Sequence, residues 1–173
     1  MGSLVFSGFL NIQPVKAQLI PDNTLGSENS VVMPVDGLND IIEGGATRDI
    51  NLFHSFREFN VGEGRSVYFH NPLGVENILT RVTGNQSSAI MGRLGVMGDA
   101  NLFLMNPNGI IFGENASLDV RGSFVGTTAD SIQLGDDAFF SARDINNSQL
   151  LAIQPGALFS SALSQHLGNI ENR

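Results

Sequence analysis

The run Asn101-Leu102-Phe103-Leu104-Met105-Asn106-Pro107-Asn108-Gly109-Ile110-Ile111-Phe112-Gly113 sets two short apolar segments on either side of a tight turn. Asn at the first turn position, Pro at the second and Gly at the fourth are what a type I turn favours. The proline ring presets φ, and the Asn106 side chain can bond the backbone two residues on. The flanking segments are apolar at successive positions, so strands there need cover on both faces. A solenoid supplies such cover from its interior and from extra hairpins or strands lying outside it.

Working outward, the same turn grammar recurs at Asn71-Pro72-Leu73-Gly74, again between strand-like segments. Alternation with period two marks strands with one buried face. Val67 and Phe69 share a face, as do Ile78, Thr80 and Val82; Leu118 and Val120 form the cleanest case, and Ser131–Leu134 repeats the scheme. Gly84-Asn85, Gly113-Glu114-Asn115, Gly122, Gly126 and Gly135 punctuate these strands, as residues that tolerate positive φ do. Asn51 to Phe59 fits one or two helical turns or an irregular strand equally well. No long amphipathic helix occurs, which disfavours the alternating strand–helix enzymes. Many short strands leave two architectures, a sandwich or barrel and a solenoid, and pattern alone separates them poorly.

Composition narrows function more than fold. The chain has 173 residues, 42% hydrophobic and only 15% charged, enough for one domain with a sizeable core. The net charge is −8, Lys16 is the only lysine and the arginines are scattered, so neither nucleic acid nor an anionic membrane surface is an expected partner. With no cysteine, disulfides, thiolate metal sites and a cysteine nucleophile are excluded. No segment reaches the roughly 18 apolar residues of a membrane-spanning helix.

The ends read as processing and boundary signals. Leu4 to Ile12 is mostly apolar, and Val15-Lys16-Ala17 carries small residues where a signal peptidase reads them. Residues 1–17 are therefore expected to be a signal-peptide remnant, with Gln18 as the mature N-terminus. Gln18 to Ser30 is polar and reads as a leading loop or capping segment. Residues 18–165 form the expected domain, and 166–173 the start of a linker or of the next coil.

Several motifs together resemble one family. Asn71 to Gly84, Asn101 to Gly113, Gly122-Ser123-Phe124-Val125-Gly126-Thr127-Thr128-Ala129, Phe53-His54-Ser55-Phe56 and Phe59-Asn60-Val61 are similar, in order, to the two-partner-secretion or haemagglutination-activity domain of filamentous haemagglutinins. The likeness covers roughly residues 30–160 and is nearest to cyanobacterial versions. It implies an all-β, right-handed parallel β-helix with an N-terminal cap and extra-helical hairpins. It implies secretion through the periplasm of a Gram-negative bacterium to the medium or cell surface. The implied partner is an outer-membrane transporter of the TpsB type (Omp85 family), which recognises the domain while the domain nucleates β-helix folding. Of the family's two turn motifs, Asn-Pro-Asn-Gly-Ile is intact at Asn106, Pro107, Asn108, Gly109 and Ile110. The other, Asn-Pro-Asn-Leu, corresponds at best to Asn71, Pro72, Leu73 and Gly74, which departs at its third and fourth positions. Both are candidate transporter-recognition sites; the alternative reading is that both are good turns and nothing more.

No enzyme, cofactor or metal is expected, and the chain is read as a monomer. The alternatives are an adhesin that binds a cell-surface receptor or carbohydrate, and a carbohydrate-active β-helix enzyme. The latter needs two facing carboxyl groups about 5–10 Å apart. Asp130 with Asp136 and Asp137 are candidates, but nothing in the sequence brings them together. His54, His70 and His166 lack ligand spacing, and His54 in its Phe-rich setting reads as a packed core-edge histidine. Gly92 to Asp99 fits neither the dinucleotide nor the Walker spacing and reads as turn and strand.

Overall fold

A computed structural model describes residues 18–135, 138–147, 159–163 and 168–173. The strands are, in chain order, β1 (Leu19–Pro21), β2 (Ser30–Pro34), β3 (Asn39–Gly44), β4 (Ala46–Arg48) and β5 (Asn51–Phe59). There follow β6 (Ser66–His70), β7 (Asn77–Val82), β8 (Ser88–Ile90), β9 (Arg93–Met97), β10 (Asn101–Met105) and β11 (Ile110–Phe112). The last are β12 (Ser117–Asp119), β13 (Phe124–Thr127), β14 (Ser131–Leu134), β15 (Ala138–Ser141), β16 (Phe159–Leu163) and β17 (Ile170–Asn172). Two short 3-10 turns, Gly26–Glu28 and Ile145–Asn147, are the only helical elements among the described residues.

Three parallel stacks make a β-solenoid of about three turns. The chain visits them in rotation: β5, β7, β10 and β13 form the first face, β8, β11 and β17 the second, and β3, β6, β9 and β12 the third. Asparagines mark the coil length. Asn77 Nδ2 donates to Asn51 Oδ1 at 3.0 Å across 26 residues, and Asn101 Nδ2 to Asn77 Oδ1 at 2.9 Å across 24. The Ser123 amide then donates to Asn101 Oδ1 at 2.9 Å across 22. Each coil is thus shorter than the one before, and the ladder ends where serine replaces asparagine.

Alternation sorts the first face into two layers. Leu52, Ile78, Leu102 and Phe124 are in register and point into the solenoid core, joined there by Phe56, Phe59, Val67, Phe69, Leu94 and Ile110. Their neighbours Phe53, Leu79, Phe103 and Met105 point outward. They are covered by Ile132, Leu134, Ala138 and Phe140 of the antiparallel sheet β15–β14–β16, which lies outside the solenoid. The Phe140 and Phe53 rings meet edge to face, with centroids 4.9 Å apart. The doubly apolar run Asn101–Met105 is explained by this two-sided burial, where each large side chain contributes about 1.5–3 kcal/mol. Asn51–Phe59 is wholly strand; its phenylalanines divide between the two cores instead of forming the stripe of a helical turn.

The ends of the stack differ. At the N-terminal end, β4 and β1 pair antiparallel with successive halves of β5, and β2 pairs antiparallel with β3, so two faces have their first parallel strand covered. The polar leader is thus a cap with a strand of its own. At the other end Leu118 lies in register above the fully buried Leu94 and Val67, yet is 46% exposed. Ile170 stands likewise above the buried Ile110 and is 52% exposed. Leu118 is thus in line with inward-facing side chains, as its alternation indicates, but sits on the last coil of its face among the described residues; Ile170, in the segment read as a linker or the next coil, continues the second face.

On the third face the only tyrosine lies across a glycine. A Cβ at Gly95 would fall 2.4 Å from Tyr68 Cε1, and the ring's hydroxyl donates to Asp119 Oδ2 at 2.8 Å. Gly95→Ala is expected to displace the ring, break that bond and cost about 1–2 kcal/mol. With no tryptophan present, near-ultraviolet circular dichroism during urea unfolding reports the displacement directly.

Candidate functional site: two asparagine–proline corners

The two turn motifs stand at different corners of the solenoid and make different turns. Asn106–Gly109 connects β10 to β11, and the Gly109 amide donates to the Asn106 carbonyl at 3.0 Å, as a turn starting at Asn106 requires. The Asn108 amide donates to Asn106 Oδ1 at 2.9 Å. Asn71–Gly74 connects β6 to β7, but its closing bond runs from the Val75 amide to the Pro72 carbonyl at 3.1 Å. The turn has therefore slipped by one residue. Gly74 sits third, with φ of 86°, as a type II turn demands and as a side chain would resist. The expectation of one grammar at both sites is corrected: Asn108 can hold its place by bonding Asn106, and Leu73 cannot.

Their exposure is opposite. Asn106 is completely buried, Pro107, Gly109 and Ile110 are buried, and Asn108 is half-buried. Asn106 Nδ2 donates to the Gln86 carbonyl at 3.0 Å and to Ser88 Oγ at 2.9 Å, both on the preceding coil. Asn108 Nδ2 donates to the Gly84 carbonyl at 2.8 Å, and Arg143 Nη2 donates to Asn108 Oδ1 at 2.9 Å. The Ile110 amide donates to the Asn169 carbonyl at 2.9 Å. The intact motif is thus a rivet through successive coils. At the other corner Leu73 is fully exposed, flanked by the half-buried Pro72 and the exposed Glu76 above a shallow depression reaching Gly98–Asn101. Asn71 holds this turn by donating to the Pro72 and Val75 carbonyls at 3.1 and 3.0 Å, and accepts from the Ala100 amide at 3.0 Å. Two of these three bonds are local, and the third ties the turn to the next coil.

Other sequence candidates are dispersed. Asp130 is ion-paired with Arg143 at 3.6 Å; Asp136, Asp137 and His166 lie outside the described residues, as does the segment read as a signal remnant. His70 is exposed at the end of β6. His54 is completely buried, more deeply than a core-edge position, with Nδ1 3.0 Å from Ser30 Oγ. Burial pushes its pKa down to about 3. Among the described residues no three His, Asp or Glu side chains converge as metal ligands.

The sequence reading missed Arg81, which is fully buried on the outer side of β7 beneath β15. A charged residue inside Ile78–Val82 was the available signal, but alternation assigns it to a solvent face. That face is covered by the outer sheet.

The described residues thus form a parallel β-solenoid with a stranded cap, an outer antiparallel sheet and a buried asparagine corner that ties successive coils. The match to the family model described as the TPS secretion domain spans residues 17–171, and the chain belongs to that family. It is 33% identical over 82 residues to a heme/hemopexin-binding protein of Haemophilus influenzae, covering 47% of this chain and 9% of that protein. A second heme/hemopexin-binding protein of Haemophilus influenzae is 30% identical over 83 residues, 48% of this chain and 9% of the relative. The aligned region therefore spans about a tenth of the length of these curated relatives.

Proposed function

We propose that this domain is the secretion signal of a large exported protein, recognised by an outer-membrane TpsB-type transporter of the Omp85 family, and the seed on which downstream coils fold. The family membership supports the first part. The contrast between the capped first coil and the uncovered Leu118 and Ile170 on the last supports the second, because parallel strands with exposed inward side chains are a template for another coil. The destination is the medium or the cell surface.

Within this reading, the Asn71–Gly74 corner is the transporter contact and Asn106–Ile110 the fold-holding one. The observation that carries this assignment is the full exposure of Leu73, an apolar side chain with no packing role, on a locally supported turn. Leu73→Asp is expected to leave stability within about 0.5 kcal/mol while lowering secretion at least several-fold. The test is co-expression in a Gram-negative host with and without the cognate transporter. Transporter-dependent appearance in the medium supports the secretion reading, and its reduction by Leu73→Asp supports the corner as the contact. Unchanged secretion of the variant removes the corner from the interface, and failure of the parent to leave the periplasm removes the secretion reading.

A further inference from the structure

We infer that Arg81 couples closure of the N-terminal cap to docking of the outer hairpin, so that neither is secured until both are in place. The guanidinium is completely buried and its three nitrogens reach three parts of the chain. Nε donates to Ser55 Oγ on β5 at 2.8 Å, Nη2 to Thr24 Oγ1 of the cap at 2.8 Å, and Nη1 to the Ser141 carbonyl of β15 at 2.6 Å. Its carbon lies 4.7 Å from the centre of the Phe140 ring, also on β15. The cap and hairpin partners are 57 and 60 residues from Arg81, in opposite directions along the chain.

Asp22 supplies the opposing charge. Its carboxylate accepts from the Thr24 amide at 3.0 Å, from the hydroxyls of Thr24 and Thr83, and from Ser55 Oγ at 2.9 Å. Burial raises its pKa, but these four donors together outweigh burial and hold it below the usual carboxylate range. The Arg81 pKa is lowered as well: burial takes it down to about 10, and attraction to Asp22 opposes that.

The coupling follows from what each half does without the other. When β15 docks, it strips water from the guanidinium, and burying a cation with an acceptor missing is strongly unfavourable. Thr24 and Asp22 remove that penalty only if the cap is closed. When the cap closes first, Nη1 and the ring-facing side of the guanidinium remain hydrated, and little is gained by fixing Thr24. Each event therefore favours the other. On the export reading, on which this consequence rests, residues 18–24 stay loosely held until residues 138–142 have joined the fold, which leaves the leading segment available to the transporter during passage.

Native-state hydrogen exchange on the purified domain tests the coupling without any transporter, so its outcome is separable from the secretion assay. Phe140→Ala should speed exchange of the Ile20 and Asp22 amides, which face β5, by about tenfold. In an Arg81→Met background the same change should add less than about twofold there. If Arg81→Met does not fold, Thr24→Val is read in reverse, and should speed exchange across Ser131–Leu134 and Ala138–Ser141 by about tenfold. Unchanged cap exchange in Phe140→Ala, equal effects in both backgrounds, or an unmoved hairpin in Thr24→Val would each overturn the inference.

Discussion

Asn106→Ala is expected to destabilise the isolated domain by about 3 kcal/mol. The alanine cannot donate to the Gln86 carbonyl or Ser88 Oγ, nor accept from the Asn108 amide. Asn106 and Ser88 are wholly excluded from solvent, so Ser88 Oγ loses a bond that water cannot replace, while the Gln86 carbonyl and the Asn108 amide are partly buried. An unsatisfied buried polar group costs about 1–3 kcal/mol, and removal of one side chain here disturbs several. Asn108→Ala should cost about 1 kcal/mol, since Asn108 is half-buried and water can reach its partners. The two side chains share a hydrogen bond, Asn108 Nδ2 donating to Asn106 Oδ1 at 3.2 Å, so the double substitution should cost less than the sum.

Urea unfolding of the three variants measures these costs. The result bears on function, because a variant that cannot hold its first coils would also fail to accumulate outside the cell. Reduced secretion of Asn106→Ala is then an outcome of folding, whereas reduced secretion of Leu73→Asp is an outcome of recognition. Parent-like stability of Asn106→Ala would show that the rivet is dispensable, and would return the intact motif to the list of transporter contacts.

The sequence was most informative where local chemistry and period-two alternation agreed. Val67, Phe69, Ile78 and Val82 point into the core as alternation indicates, and the Asn106–Gly109 turn closes as its residues demand. Alternation alone could not identify which outward face is covered. Arg81 and Phe53 are buried by strands more than fifty residues further along the chain, and that packing leaves no local periodic mark. Nor could spacing reveal that Asn71-Pro72-Leu73-Gly74 turns one residue late, since the slip depends on the third residue lacking a side-chain bond. Asn51–Phe59 stayed ambiguous for a related reason: a strand buried on both faces carries phenylalanines at odd and even positions, and these offsets overlap those of a helix.

Lowering the pH from 6.5 toward 3 should remove about 4–5 kcal/mol of stability through His54 alone. Its imidazole is fully buried between Phe56 and Phe69, with ring centroids at 6.4 and 5.2 Å. Nδ1 faces Ser30 Oγ, and Nε2 has no hydrogen-bond partner. Protonation would bury a charge and an N–H without an acceptor, which is why burial drives the pKa down to about 3. The unfolded chain binds this proton near pH 6.5, and the folded chain only near 3. Stability from His54 is thus complete above 6.5, declines as pH falls below it, and is exhausted below 3. Between pH 6.5 and 4.5 the loss is about 2–3 kcal/mol. Asp22 shifts stability in the same direction, because its folded pKa is also depressed, but its loss begins only near its ordinary value of 3.8. The upper window therefore isolates His54. His54→Leu places an apolar side chain in register with Thr80 and, one coil further, Leu104, and should flatten the urea midpoint between pH 6.5 and 4.5. A parent curve as flat as the variant's would mean that the folded domain admits a proton to this histidine, and hence that the first coil opens beneath its cap.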